Sequence, residues 1–191
     1  MPNWCFNYID IKAKDAKTAE ALFRDIEKWT SKEYVTSDFG EMWLGNILGN
    51  SGLDKDPAHS DIRCRGHIDD FSVQGDTVNI QTESAWGPAI AMWFMVVDEL
   101  YPDSTVTYTA EETGCGLFWT NNKELTDKYI IDSCNEELES DWDGLTKEQL
   151  VKTLQEFLNT KETNVDKLIS LADDEEVYVH QYEFVDDIDD L

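Results

Sequence analysis

The chain has 191 residues, with 41 Asp and Glu against 15 Lys and Arg, a formal net charge of −26 at pH 7. Its hydrophobic share of 41%, with 12% aromatic, is too rich for a disordered acidic tail, so the chain folds. The charge excludes direct binding to phosphate backbones, which needs clustered Lys and Arg, and disfavours docking on an anionic membrane.

Asn3 to Lys12 alternates and is rich in aromatic and β-branched residues, which predicts a first strand. In Ala16 to Trp29, Ala19, Leu22, Phe23 and Ile26 recur at helical spacing and predict a first helix. Thr30 to Ser60 reads as a long irregular stretch with an aromatic island at Phe39, Met42 and Trp43. Connections of that length are often functional. Ile62 to Val73 and Thr77 to Ser84, joined through Gln74-Gly75-Asp76, predict a hairpin. Ala85-Trp86-Gly87-Pro88 opens a second helix running to about Leu100, apolar around most of its circumference and so buried on more than one side. Thr105 to Glu112 reads as a strand, Gly114-Cys115-Gly116 as a turn, and Leu117 to Thr120 as a further short strand.

This order of elements predicts an α+β, ferredoxin-like split βαβ (βαββαβ) domain over residues 1–120: an antiparallel sheet with helices on one face. Residues 121–191 form an acidic, helix-containing C-terminal extension, expected to pack on that domain. They hold 21 acids against 6 Lys, a net of −15, whereas residues 1–120 carry −11. Thr146-Lys147-Glu148-Gln149 is a capping box before a helix whose Leu150, Val151, Leu154, Phe157 and Leu158 share a face. Asn164 caps a shorter helical segment through Leu171, and Val177 to Phe184 is strand-like.

Met-Pro-Asn-Trp-Cys-x-Asn at the start resembles the opening of the YubB-like family, uncharacterised phage and plasmid proteins with a ferredoxin-like N-terminal domain. Similar stretches are Gln81 to Pro88, Leu100-Tyr101-Pro102 and Tyr108 to Gly116. The resemblance covers roughly residues 1–120. It implies a mobile-element origin and a fold; it carries over no catalytic residue and does not reach the acidic extension.

The Met1-Pro2-Asn3-Trp4 opening has no basic or apolar leader, and the longest apolar run, Ala89 to Val97, is nine residues. With four widely spaced cysteines read as reduced thiols, the expected location is cytoplasmic. His59, Cys64 and His67 have superficially zinc-like spacing, but Cys64 and His67 in one strand would face opposite ways, so they read as ordinary strand residues. Asp69-Asp70 and Glu111-Glu112, if close across neighbouring strands, would make an acid–base pair; among 41 acids they read as solvated surface. Asp173 to Glu176 and Asp186 to Asp190 lack the EF-hand pattern, and Gly45 to Gly52 lacks the lysine of a phosphate loop. No cofactor, metal or catalytic residue is assigned. Trp4, Trp29 and Trp93 sit where a core wants them; Trp43 and Trp86 lie in loops or junctions, where a lid over a satellite core is the favoured reading over a partner anchor.

Charge is the strongest signal, since a magnitude of about 2–8 suffices to keep a small domain soluble. The expectation is a non-enzymatic protein that binds and blocks a basic, nucleic-acid-binding surface of a host protein, as anti-restriction or anti-CRISPR inhibitors do. Its contact residues are expected to be Glu136, Glu137, Glu139, Asp141, Asp143, Asp173, Asp174, Glu175 and Glu176. The alternatives are a small-ligand enzyme or sensor with a groove near Trp43, Trp86, Glu111 and Glu112, or a structural protein.

Overall fold

The computed structural model describes residues 3–35, 39–55 and 61–186. The chain is α+β, with five α-helices and nine strands among the described residues. It divides into two compact units, Met1–Leu117 with Val185–Leu191, and Phe118–Phe184.

In the first unit, β1 (Trp4–Lys12) leads to α1 (Ala16–Thr30), α2 (Leu44–Ser51), β2 (Gly66–Gln74), β3 (Thr77–Ala85), α3 (Ala91–Leu100) and β4 (Thr105–Glu112). The four strands lie in the order β2-β3-β1-β4, every neighbour antiparallel. Strict alternation along β1 buries Cys5, Asn7, Ile9 and Ile11 and leaves Trp4, Phe6, Tyr8, Asp10 and Lys12 exposed. Asp15 caps α1, accepting from the Thr18 N–H at 2.8 Å, and Ala19, Leu22, Ile26 and Trp29 form its buried stripe. Truncating the fully buried Leu22 to Ala would cost about 2–5 kcal/mol. Helix α3 buries Ala91, Met92, Trp93, Met95, Val96 and Val97, and Phe94 meets Tyr108 of β4 edge-on.

Three elements of this unit differ from the sequence expectation. Helix α2 forms inside the stretch read as irregular, because Leu44, Ile47 and Leu48 are buried and side-chain hydrogen bonds to carbonyls outside the helix replace propensity. Asn46 Nδ2 donates to Gly40 O at 2.8 Å and Asn50 Nδ2 to Trp29 O at 2.8 Å. A Cβ on Gly45 would run into the Trp43 indole, so only glycine lets that ring lie against the helix. Strand β2 begins at Gly66 rather than Ile62 and carries a bulge between Ile68 and Asp70. Helix α3 begins at Ala91, three residues after Pro88, because Trp86 (φ +66°) and Gly87 (φ +127°) first turn the chain in the left-handed region. Ser84 Oγ holds that turn by donating to Gly87 O at 2.8 Å.

The second unit contains β5 (Leu117–Thr120, whose first residue belongs to the first unit), β6 (Tyr129–Ser133), β7 (Asp141–Leu145), α4 (Lys147–Phe157), α5 (Val165–Asp173), β8 (Val177–Gln181) and β9 (Glu183–Phe184). Strands β7-β6-β8 form an antiparallel sheet, and β5 pairs with β9 in parallel. The capping box at Thr146 is in place: Gln149 N donates to Thr146 Oγ1 and Thr146 N to Gln149 Oε1. Alternation along β6 sends Ile131 to a core with Leu150, Leu154, Leu168, Ala172 and Val177, and Ile130 to a smaller one with Phe118 and Tyr182. The segment read as one strand from Val177 to Phe184 breaks at Tyr182, whose buried ring meets Phe118 edge-on.

Candidate functional site: an acidic edge on the second unit

The nine carboxylates singled out from the sequence fall on two segments. Glu136, Glu137 and Glu139 lie on the loop between β6 and β7, with Asp141 and Asp143 on β7; Asp173 ends α5, and Asp174, Glu175 and Glu176 turn the chain into β8. Antiparallel pairing of β6 with β8 places Ser133 opposite Val177, so both segments leave the sheet at the same end. Cys134 N donates to Glu176 O at 3.0 Å, and Asn135 Nδ2 donates to Glu175 O at 3.0 Å. The structure therefore brings the two segments together.

Local hydrogen bonds shape each one. Asn135 Oδ1 accepts from Glu137 N at 2.9 Å, an Asx turn that starts the loop, and Ser140 Oγ closes it by accepting from Ser133 N at 3.0 Å. Asp141 Oδ1 accepts from Asp143 N at 3.1 Å. In the other segment Glu175 N donates to Ala172 O and Glu176 N to Asp173 O. All of these carboxylate residues are exposed except Asp141, which is half-buried. Neither stretch, 134–143 or 173–176, contains Lys or Arg. Ion pairs among the described residues join Lys12 to Asp76, Arg24 to Glu20, Lys152 to Glu156 and Lys167 to Glu162, and none involves the nine. Backbone order with unpaired charge is what a rigid anionic surface requires.

The other candidates scatter. Asp69-Asp70 and Glu111-Glu112 are not on neighbouring strands: β3 and β1 lie between β2 and β4, a separation of about 14 Å at normal strand spacing. No acid–base pair forms from them. Glu112, read as solvated surface from the sequence, is instead only 5% exposed, because alternation along β4 turns it inward, and its Oε1 has no hydrogen-bond partner among the described residues. It lies near Cys5, whose thiol is pushed up to about 12 by burial first and then by the Glu112 charge. Cys64 lies in the coil before β2, and His59 and Asp187 to Asp190 fall outside the described residues. Among the described residues no group of three or more His, Cys, Asp or Glu could hold a metal ion, and no helix is long and apolar enough to cross a membrane.

Of Trp43, Trp86, Glu111 and Glu112, Trp86 alone lines the described cavity. Trp43 is half-buried at the start of α2 with its ring 4.9 Å from that of Phe39. Trp86 is 58% exposed and, with Arg63, Arg65, Ser84, Gly87 and Ala89, borders a cavity of about 330 Å³ in the first unit. Two of the chain's three arginines line this cavity, and no acid does. Sequence reading missed the arginines, because Arg63 and Arg65 are isolated cations that only the turn at Trp86 brings to one wall. Searches of family models, curated proteins and solved structures returned no match.

Proposed function

We propose that this is a non-enzymatic, cytoplasmic protein of a phage or other mobile element that occupies a basic nucleic-acid-binding surface of a host protein and blocks it. The observation that carries the reading is the joining of two acidic segments, about forty residues apart in sequence, along one ordered edge. A total charge of −26 equals the phosphate charge of roughly 13 base pairs of duplex DNA. Steering by such a field makes capture of a basic surface fast, and that capture weakens as salt rises. The first unit is read as ferredoxin-like, supported by the order β2-β3-β1-β4 with α1 following β1 and α3 following β3. Kinship with the YubB-like proteins belongs to the same proposal.

The test replaces Glu136, Glu137, Asp174 and Glu175 with Lys and compares capture of host nucleic-acid-binding proteins by the two forms at low and high salt, with duplex DNA as competitor. The reading expects wild-type capture that duplex DNA displaces, that high salt abolishes, and that the Lys variant loses while remaining folded. Capture insensitive to both the variant and the DNA would overturn it.

A second reading, a small-ligand sensor, is favoured by the cavity of Arg63, Arg65 and Trp86: a planar anion would stack on the indole and pair with the guanidinium groups. Titration with adenosine monophosphate tests it, and binding unaffected by Arg63→Ala and Arg65→Ala would end it.

A further inference from the structure

We propose that the open face of the sheet β2-β3-β1-β4 docks an arginine-bearing basic segment of a protein partner, with a guanidinium group lying over Phe6 between Glu83 and Glu111. This surface shares with the proposed blocking function only the sign of the partner's charge and does not need the acidic edge.

Strand β1 lies between β3 and β4, so its outward residues stand at the centre of the face. There Trp4, Phe6 and Tyr8 are 40%, 45% and 46% exposed. Residues two apart on a strand share a face about 6.7 Å apart, so the three rings make a row about 13 Å long. The solvent side of an antiparallel strand is ordinarily polar, and a row of exposed aromatics on it marks an interaction surface. Phe6 is paired directly with Glu83 on β3 and with Glu111 on β4. Directly opposed residues have Cβ atoms about 5 Å apart, so a carboxylate-bearing residue flanks the ring on each side. Tyr8 reports the same field: its hydroxyl is pushed up by partial burial, then by the charges of Glu111 and Asp69. Asp10 and Asp70 extend the negative border, and the face's Lys12 sits at the far end of β1 beside Asp76.

Only one class of occupant satisfies both features. Aromatic rows on sheets also stack nucleic-acid bases, but here the carboxylates would repel the phosphates. A second copy of the chain would set the same acids against each other. Arginine answers both requirements, because its planar guanidinium stacks on aromatic faces and donates to carboxylates on either side. Lysine, a compact ammonium, meets the charge but not the stacking.

The experiment uses the full chain and three probes: a fluorescein-labelled Arg/Gly peptide, its Lys/Gly counterpart, and single-stranded oligothymidylate. Expected are binding of the Arg peptide ahead of the Lys peptide and none of the oligonucleotide. Phe6→Ala with Tyr8→Ala should weaken the Arg peptide about tenfold, in keeping with about 1.4 kcal/mol of lost stacking. Glu83→Gln should weaken it several-fold. Amide shifts induced by the peptide in the wild-type protein, which need no variant to fold, should concentrate on β1, β3 and β4. The four-Lys edge variant should keep this binding, so failure of the proposed blocking function leaves the result standing. Shifts confined to 134–143 and 173–176, equal binding by the Phe6/Tyr8 variant, or oligonucleotide binding lost with that variant would overturn the proposal. So would a dimer that the same variant dissolves.

Discussion

Asn135 and Glu175, forty residues apart, are joined by a 3.0 Å hydrogen bond from a side-chain amide to a backbone carbonyl. Asn135 also accepts from Glu137 N, so one side chain both turns its own loop and ties it to the next acidic segment. Asn135→Ala should cost about 1–2 kcal/mol in urea unfolding and speed hydrogen exchange at Cys134. Unchanged exchange would show the two segments to be held independently.

Asn7 is the polar centre of the first unit's core. Its Nδ2 lies 2.8 Å from Ser84 Oγ, 3.1 Å from Thr82 Oγ1 and 3.1 Å from Cys5 O, all buried. Asn7→Ala strands these acceptors and should cost about 1–3 kcal/mol, seen as a lower urea midpoint.

Burial holds the Cys5 thiol protonated in the folded protein, pushed up to about 12 from an ordinary 9.0, with the Glu112 charge adding to the effect. A folded value above the unfolded one means that the unfolded chain loses its proton first as pH rises. The associated stability is complete below about pH 9 and is lost as pH climbs toward 12. Burial raises Tyr101 and Tyr108 too, so their contribution declines in the same direction. Thermal unfolding from pH 8 upward should show the decline, with a shallower slope in Cys5→Ala. In the native state Cys5 should resist a thiol reagent, while the exposed Cys134 is accessible to it.

The surplus of carboxylates opposes folding through self-repulsion. Added sodium chloride screens it, so the melting temperature should rise with salt from a low-ionic-strength buffer. A melting temperature indifferent to salt would mean that the charges are too dispersed to act on one another, which would weaken the case for a concentrated edge.

Local patterns were enough for α1, α4 with its capping box, α5, and the β2–β3 hairpin, because helical periodicity, caps and a Gly turn act within a few residues. Strand β1 was equally legible, but its orientation was misread: Trp4, placed in the core from the sequence, stands on the exposed face with Phe6 and Tyr8, because that side and the buried side of Cys5, Ile9 and Ile11 are both apolar enough to be core. Helix α2 was hidden by two glycines and two asparagines, whose helix is maintained by buried neighbours and by bonds to distant carbonyls. Strands β6 and β7 were missed because they are short and lack a marked turn.

Composition alone determined that the chain folds and that it is a polyanion, because these depend on residue type and not on position. Tertiary structure decided where that charge is displayed. The register of β6 against β8 sets Glu136 and Glu175 on one edge, and the strand order separates Asp69 from Glu111. Helix packing on the Ile9 side of β1 leaves Phe6 open to solvent. Each outcome is a matter of which distant residues become neighbours, and no local periodicity encodes that.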